Sequence, residues 1–197
     1  MKIIGITGSS GSGKTTASKI LSKELKAKTI NADKIVKQMQ EKGSEYYEKI
    51  VETFGKEILQ EDGFINRAKL AQIIFQDETK KEKLDKLTYK YVVEEIRKQV
   101  KNAKEEYIII DAPLLIESKL NEICDIIIAV ISSKQEQIKR ICSRDNIEEE
   151  NAKIRLEAQK DNEFYKLNAD YIVENNGGKT DELMGRIRKL VQELQQM

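Results

Sequence analysis

Apolar residues cluster in short runs along this chain, at Lys2–Thr7, Tyr107–Ile110, Asp125–Ile131 and Ala169–Val173, with a weaker run at Lys28–Ile30. Each has the length of one strand and lacks the polar alternation of a half-exposed sheet, so these are read as strands buried on both faces. Charged segments with helical spacing fill the gaps. Buried strands alternating with amphipathic helices predict an α/β fold, a five-stranded parallel sheet flanked by helices.

The gap between the second and third strands is too long for a simple crossover. Residues 34–104 read as a charged helical insertion, broken at Lys42-Gly43 and Glu61-Asp62-Gly63, that could cover a substrate. A second charged helical stretch, Lys134 to Asn168, has its most turn-like point at Asp145-Asn146. The tail from Asp181 to Met197 carries Leu183, Ile187, Leu190 and Leu194 on one helical stripe, expected to pack on the sheet. One domain of 1–197 is expected, with a core of 1–33 and 105–197 around the insertion.

The first strand runs into Gly8-Ser9-Ser10-Gly11-Ser12-Gly13-Lys14-Thr15, which satisfies G-x-x-x-x-G-K-[ST] at every required position, and then into a helix predicted over Thr15–Leu25. Glycines let successive backbone N–H groups turn toward one anion, and the helix directs the positive end of its dipole to the same place. The motif assigns Lys14 to the β and γ phosphates and the Thr15 hydroxyl to Mg²⁺.

Composition narrows the chemistry. Charged residues make up 35% of the 197 but balance to a formal +1, which argues for a small phosphate-bearing ligand rather than nucleic acid. Two cysteines, Cys124 and Cys142, cannot make a disulfide framework or a zinc set, and both are read as reduced thiols. No run approaches about 18 apolar residues and no long apolar leader follows Met1, so a cytoplasmic protein with no membrane partner is expected. Histidine is absent, which leaves proton transfer to carboxylates, lysine, tyrosine, cysteine or water.

Two aspartates stand at the carboxyl ends of predicted strands, where open α/β sheets bind ligands. Asp33 ends Ile30-Asn31-Ala32-Asp33; it is either the N-cap of a helix over Lys34–Gln40 or the base that deprotonates an attacking hydroxyl. Asp111 follows Tyr107–Ile110 and suits the acidic Mg²⁺ partner of a phosphate loop, with a turn before Pro113 as its plainer role. Seven of the 35 basic residues are arginine, so each Arg hints at a need for a planar, bidentate donor. Arg140 and Arg144, four residues apart on one helix face, are the foremost phosphate candidates; Arg67 and Arg155 are weaker ones, and Arg186 and Arg188 read as surface. Glu117 either contacts substrate or caps a turn.

In order, Gly8 to Thr16, Asn31-Ala32-Asp33, Asp62-Gly63 with Arg67, Ile74-Phe75, Asp111-Ala112-Pro113-Leu114-Leu115-Ile116-Glu117, Gln137-Ile138-Lys139-Arg140 with Arg144-Asp145, Gln159, and Ala169 to Val173 with Asn175-Asn176-Gly177 resemble the dephospho-coenzyme A kinases. The Asp-x-Pro-Leu-Leu-x-Glu and Gln-x-x-Arg-x-x-x-Arg-Asp blocks are the most specific. The resemblance spans nearly the whole chain.

It implies a P-loop kinase that moves the γ phosphate of ATP to the ribose 3′-hydroxyl of dephospho-coenzyme A, with Mg²⁺, as the last step of coenzyme A synthesis. Asp33 would be the general base; Lys14 and Arg140 would stabilise the transferring group. Thr15 and Asp111 would organise Mg²⁺, while Gly11, Ser12, Gly13, Lys14, Thr15, Thr16, Arg144 and Asn175 would hold the nucleotide, Arg144 closing with a lid over about 140–165. A monomer is expected, with an oligomer left open. Two positions depart from the family: its Asp-Ala-Asp reads Asn31-Ala32-Asp33, removing one carboxylate near the phosphates, and its His-Pro reads Tyr89-Lys90. Another small-molecule P-loop kinase, for a nucleoside or nucleotide, and a nucleotide-dependent switch are the alternatives; no Asn-Lys-x-Asp guanine-reading pattern occurs.

Overall fold

The computed structural model describes residues 1–177 and 180–196. Five strands, β1 (Lys2–Thr7), β2 (Lys28–Asn31), β3 (Tyr107–Asp111), β4 (Ile126–Ile131) and β5 (Tyr171–Glu174), form one sheet in the order β2-β3-β1-β4-β5. Pairing of β1 with β3, β1 with β4 and β4 with β5 is parallel. Ile6 stands opposite Asp111 and Ile131 opposite Glu174, so Gly8, Asp111, Ser132 and Asn175 all emerge at the carboxyl edge. The strand order reverses at β1, and that edge is where such sheets bind ligands.

Two strands begin later than their apolar runs, for the same reason. Asp125 and Asp170 each place a carboxylate on the N–H of the neighbouring strand, Asp125 on Ile3 and Asp170 on Ile127, both at 2.7 Å. The side chain, not the ladder, satisfies that donor, so β4 starts at Ile126 and β5 at Tyr171 rather than Ala169. These contacts also fix the register of the two parallel pairs.

The chain divides into two compact units, Met1–Ile30 with Asn102–Met197, and Asn31–Lys101. In the first, helix α1 (Lys14–Leu25) buries Ala17, Ser18, Leu21 and Leu25 on one stripe. Helix α9 (Thr180–Gln196) adds Leu183, Ile187, Leu190, Val191 and Leu194 to the same core, against Ile4, Ile6, Ile109, Ile128 and Val130 of the sheet. The predicted tail stripe is thus core-facing; Met197, the last residue of the predicted tail, lies outside the described residues.

The stretch after β4 is three helices, α6 (Lys134–Asp145), α7 (Glu149–Glu157) and α8 (Asn162–Leu167). The first break is the predicted one: Asn146 closes α6 in a left-handed conformation, φ 51°. The second has its own start signal in Asp161, whose carboxylate caps α8 through the Phe164 N–H at 2.9 Å.

In the second unit, α2 (Ala32–Met39), α3 (Glu45–Phe54), α4 (Arg67–Phe75) and α5 (Glu78–Lys101) enclose Tyr46, Tyr47, Ile50, Phe54, Ile58, Ile65 and Leu70. Buried Tyr46 keeps its phenol protonated through desolvation and shares a 2.7 Å hydrogen bond with Thr88. Of the two residues at the family's His-Pro position, Tyr89 is half-buried on α5 and Lys90 exposed, its ammonium 5.5 Å from the Tyr91 ring centre.

Candidate active site

Gly13 is the N-cap of α1 and sits at φ 96°, a conformation that L side chains rarely adopt. It offers no side-chain oxygen to the first turn, so the leading N–H groups of α1 remain available to an anion. A Cβ on Gly13 would stand 2.1 Å from Asn175 Nδ2, and one on Gly8 2.2 Å from the Val130 carbonyl oxygen. Close approach, as well as φ, demands glycine at both.

Lys14 is the first residue of α1 and is buried with its ammonium on Asp111 Oδ1. The two side chains are only 10% and 4% exposed, so each supplies the counter-charge that the other's burial requires. Thr15 and Thr16 are exposed in the first turn of α1.

The carbonyl side of the loop is held by α6 and by the end of β5. Arg140 Nη1 donates to Gly11 O at 3.0 Å, Ser12 O at 3.3 Å and Ser132 Oγ at 3.3 Å, while its Nη2 donates to Asn175 O at 3.0 Å. Asn175 Nδ2 donates to Ser12 O at 2.8 Å, and Ser132 Oγ to Asn175 O at 2.6 Å. With the Gly11 and Ser12 carbonyls turned to these donors, and the Ser12 N–H taken by Ser9 O at 3.2 Å, the N–H groups of Gly13, Lys14 and Thr15 lead the open end of α1.

One turn further along α6, Arg144 Nη2 donates to Ser10 Oγ at 3.1 Å. Arg144 also forms a two-pronged contact with Asp145, which takes Arg155 on its second oxygen at 2.9 Å. The Arg144 guanidinium first, and Arg155 after it, hold the Asp145 carboxyl below the ordinary carboxylate range.

The structure therefore brings Gly11, Ser12, Gly13, Lys14, Asp111, Arg140, Arg144 and Asn175 together in one unit. Asp33 belongs to the other unit, exposed in the first turn of α2. It is not a helix cap: α2 starts at Ala32, and Asn31 Oδ1 takes the Lys34 N–H at 2.9 Å. The asparagine that departs from the family pattern does the capping, because it precedes the first helical residue in an extended conformation. Arg67 opens α4, also in the second unit. Both tail arginines are exposed, as expected, and each has a surface contact: Arg186 reaches Glu174 O at 2.7 Å and Arg188 meets Glu24 at 3.0 Å. Glu117 Oε2 is buried without a hydrogen-bond partner among the described residues. Its charge adds to the burial that pushes the Tyr165 phenol up to about 12.

Sequence reasoning assigned no role to Gln137, Gln159 and Ser132, all three of which touch the loop or its supports. The available signal for the first was spacing: Gln137, Arg140 and Arg144 lie at i, i+3 and i+7, one face of α6.

The donor chemistry fits Mg²⁺ carried by phosphates. Among the described residues no group of three or more His, Cys, Asp or Glu could hold a metal ion. Thr15 and Asp111 instead offer one hydroxyl and one carboxylate, hard oxygens of the kind that hold Mg²⁺ alongside substrate phosphates.

A family model for dephospho-CoA kinase matches residues 2–181. The chain belongs to the dephospho-CoA kinase family. A curated dephospho-CoA kinase from Bacillus cereus is 40% identical over 182 residues, covering 89% of this chain and 88% of the relative. Among solved structures, a dephospho-CoA kinase from Campylobacter jejuni is 27% identical with a TM-score of 0.68, covering 98% of each chain. A Thermus thermophilus protein, 24% identical with a TM-score of 0.82 over 98% of this chain and 97% of its own, shares the fold. The expected architecture, a P-loop kinase core built on a five-stranded parallel sheet, is what the structure has. No helix among the described residues is long and apolar enough to cross a membrane.

Proposed function

We propose that this chain is the ATP-dependent kinase of dephospho-coenzyme A and places the γ-phosphoryl group of ATP on the ribose 3′-hydroxyl, the final step of coenzyme A synthesis. The observation that carries the reading is the buried Lys14–Asp111 pair under a phosphate loop, in a chain whose family match runs through residues 2–181.

The chemistry is one displacement. The 3′-oxygen attacks the γ phosphorus, the bond to the β-bridging oxygen breaks, ADP leaves, and the hydroxyl proton passes to the Asp33 carboxylate. Capping by Asn31 leaves that carboxylate available. Lys14 carries the positive charge facing the β and γ phosphates, and the N–H groups of Gly11 and of Gly13 to Thr16 cradle them. Arg140 and Asn175 keep those N–H groups pointing outward by holding the loop's carbonyls. Arg144 adds charge from the α6–α7 segment. Thr15 and Asp111 would hold Mg²⁺, which when bound neutralises charge on the phosphate oxygens. Catalysis of this kind is positioning and electrostatics rather than covalent chemistry.

The test is a coupled ADP-release assay with MgATP and dephospho-coenzyme A, AMP, CMP or uridine. Acceptor-dependent ADP release with the first alone supports the reading; turnover of another acceptor and not the first overturns it. The cytoplasm is the compartment this activity suits.

A further inference from the structure

All three polar groups of Ser10 are held by residues that follow β4. Its N–H donates to Gln159 Oε1 at 2.7 Å, its carbonyl accepts from Gln137 Nε2 at 3.2 Å, and its hydroxyl accepts from Arg144 Nη2 at 3.1 Å. Gln137 Nε2 also donates to Ser9 Oγ. Gln137 is 2% exposed on α6, whereas Gln159 lies just past α7, so two separate segments converge on one residue of the phosphate loop.

We infer that Gln137 and Gln159 are positioning residues for phosphoryl transfer, a donor and an acceptor that fix the two peptides flanking Ser10, Ser9–Ser10 through its N–H and Ser10–Gly11 through its carbonyl, and so set where the loop presents its N–H groups. The inference rests on the kinase reading above. The partners dictate each amide's orientation: a backbone N–H can only give to Gln159, so the oxygen faces it, and a carbonyl can only receive from Gln137, so the nitrogen faces it. Charge explains why both are glutamine. A carboxylate at either place would repel the phosphates, and an ammonium would compete with Lys14 for them, whereas an amide supplies a hydrogen bond and no net charge.

Contacts elsewhere agree with a positioning role. A Cβ on Gly11 would lie 2.6 Å from the Gln137 carbonyl oxygen, so this turn of α6 is seated directly on the loop. Gln137 and Gln159 also line, with Ser9 and Asn162, a cavity of about 390 Å³ beside it. A shift in either segment is therefore transmitted to the peptides on either side of Ser10.

Opposite hydrogen-bonding polarity makes the inference testable by carboxylate substitution, because glutamate accepts but, when ionised, does not donate. At position 159, Gln159→Glu keeps the acceptor: kcat should stay within about threefold of wild type while KM for ATP rises. Gln159→Leu should lower kcat about tenfold, a loss of roughly 1.4 kcal/mol, with KM for ATP within threefold. At position 137 both Gln137→Glu and Gln137→Leu remove the donor, and both should lower kcat. Hydrogen exchange of the peptide covering Ser10 should accelerate in Gln159→Leu and not in Gln159→Glu, a readout independent of turnover. Melting temperatures within a few degrees of wild type show that the variants fold. The inference is overturned if Gln159→Leu keeps wild-type kcat. It is equally overturned if the glutamate and leucine variants at position 159 lose kcat alike, or if every loss of kcat follows a matching loss of melting temperature. An inactive wild type would instead count against the kinase reading, and the exchange comparison would still decide whether Gln159 holds Ser10.

Discussion

Lys14 and Asp111, 97 residues apart in the chain, form a buried ion pair at the carboxyl edge of the sheet. The parallel register that sets Ile6 opposite Asp111 brings them there, since Lys14 follows β1 by one loop and Asp111 ends β3. Removing one partner strands the other's charge. Asp111→Asn should therefore destabilise the fold by about 3–5 kcal/mol, measured by urea denaturation, and abolish Mg²⁺-dependent turnover. Stability within about 1 kcal/mol of wild type would show that the pair is not the buried counter-charge described.

Gly13→Ala asks a different question of the loop. The added methyl would stand 2.1 Å from Asn175 Nδ2 on a backbone at φ 96°. Conformational cost alone is about 1–2 kcal/mol, before the clash. Affinity for ATP should fall at least tenfold by calorimetric titration, whereas Gly43→Ala, with open space around its Cβ though also at positive φ, should leave it within about twofold.

Asp33→Asn should lower kcat by about 10²–10⁴-fold, the range a positioned base contributes. Direct titration should give an ATP Kd within about threefold of wild type. Near-normal turnover would remove Asp33 from the base role. Asn31→Ala, which deletes the cap of α2, should instead cost about 1 kcal/mol of stability.

Arg140 makes four hydrogen bonds, to Gly11 O, Ser12 O, Ser132 Oγ and Asn175 O, from a single fork. A lysine ammonium cannot reach acceptors spread over both terminal nitrogens of the planar guanidinium fork. Arg140→Lys should accordingly lose most of the activity of the wild type, at least tenfold in kcat/KM for ATP, despite unchanged charge. Full activity in the lysine variant would mean that charge alone matters at this position.

Burial, aided by the Asp125 carboxylate, pushes the Cys124 thiol up to about 12. Its sulfur also donates to Leu120 O at 3.3 Å. Across pH 6–9 the native thiol therefore stays protonated and inert to a thiolate-selective disulfide reagent, and it reacts only after unfolding in guanidinium. Stoichiometric labelling of Cys124 in the folded protein at pH 8 would contradict this.

The strands and the loop were legible in the sequence because each writes a local pattern: apolar runs of strand length, and a glycine motif whose spacing follows from backbone geometry. Start points were less so. Asp125 and Asp170 sit beside apolar runs but act through neighbouring strands, a relationship that no local window contains. The N-terminus of α2 misled for the opposite reason, since Asn31 and Asp33 are both good caps and only the extended backbone at Asn31 decides between them. Arg140 and Asn175 stood out as candidates, yet which atoms of the loop they grip depends on the β4 and β5 ends meeting at one edge. Gln137 and Gln159 stand in the family's blocks, but, being uncharged, they gave composition nothing from which to read a role.

The product identifies the reaction. Purified protein should be incubated with MgATP and dephospho-coenzyme A, and the product analysed by mass and phosphorus NMR. One added phosphomonoester on the ribose 3′-oxygen, formed one-for-one with ADP, is the predicted result; ADP without a phosphorylated acceptor, or phosphate at another position, would contradict it.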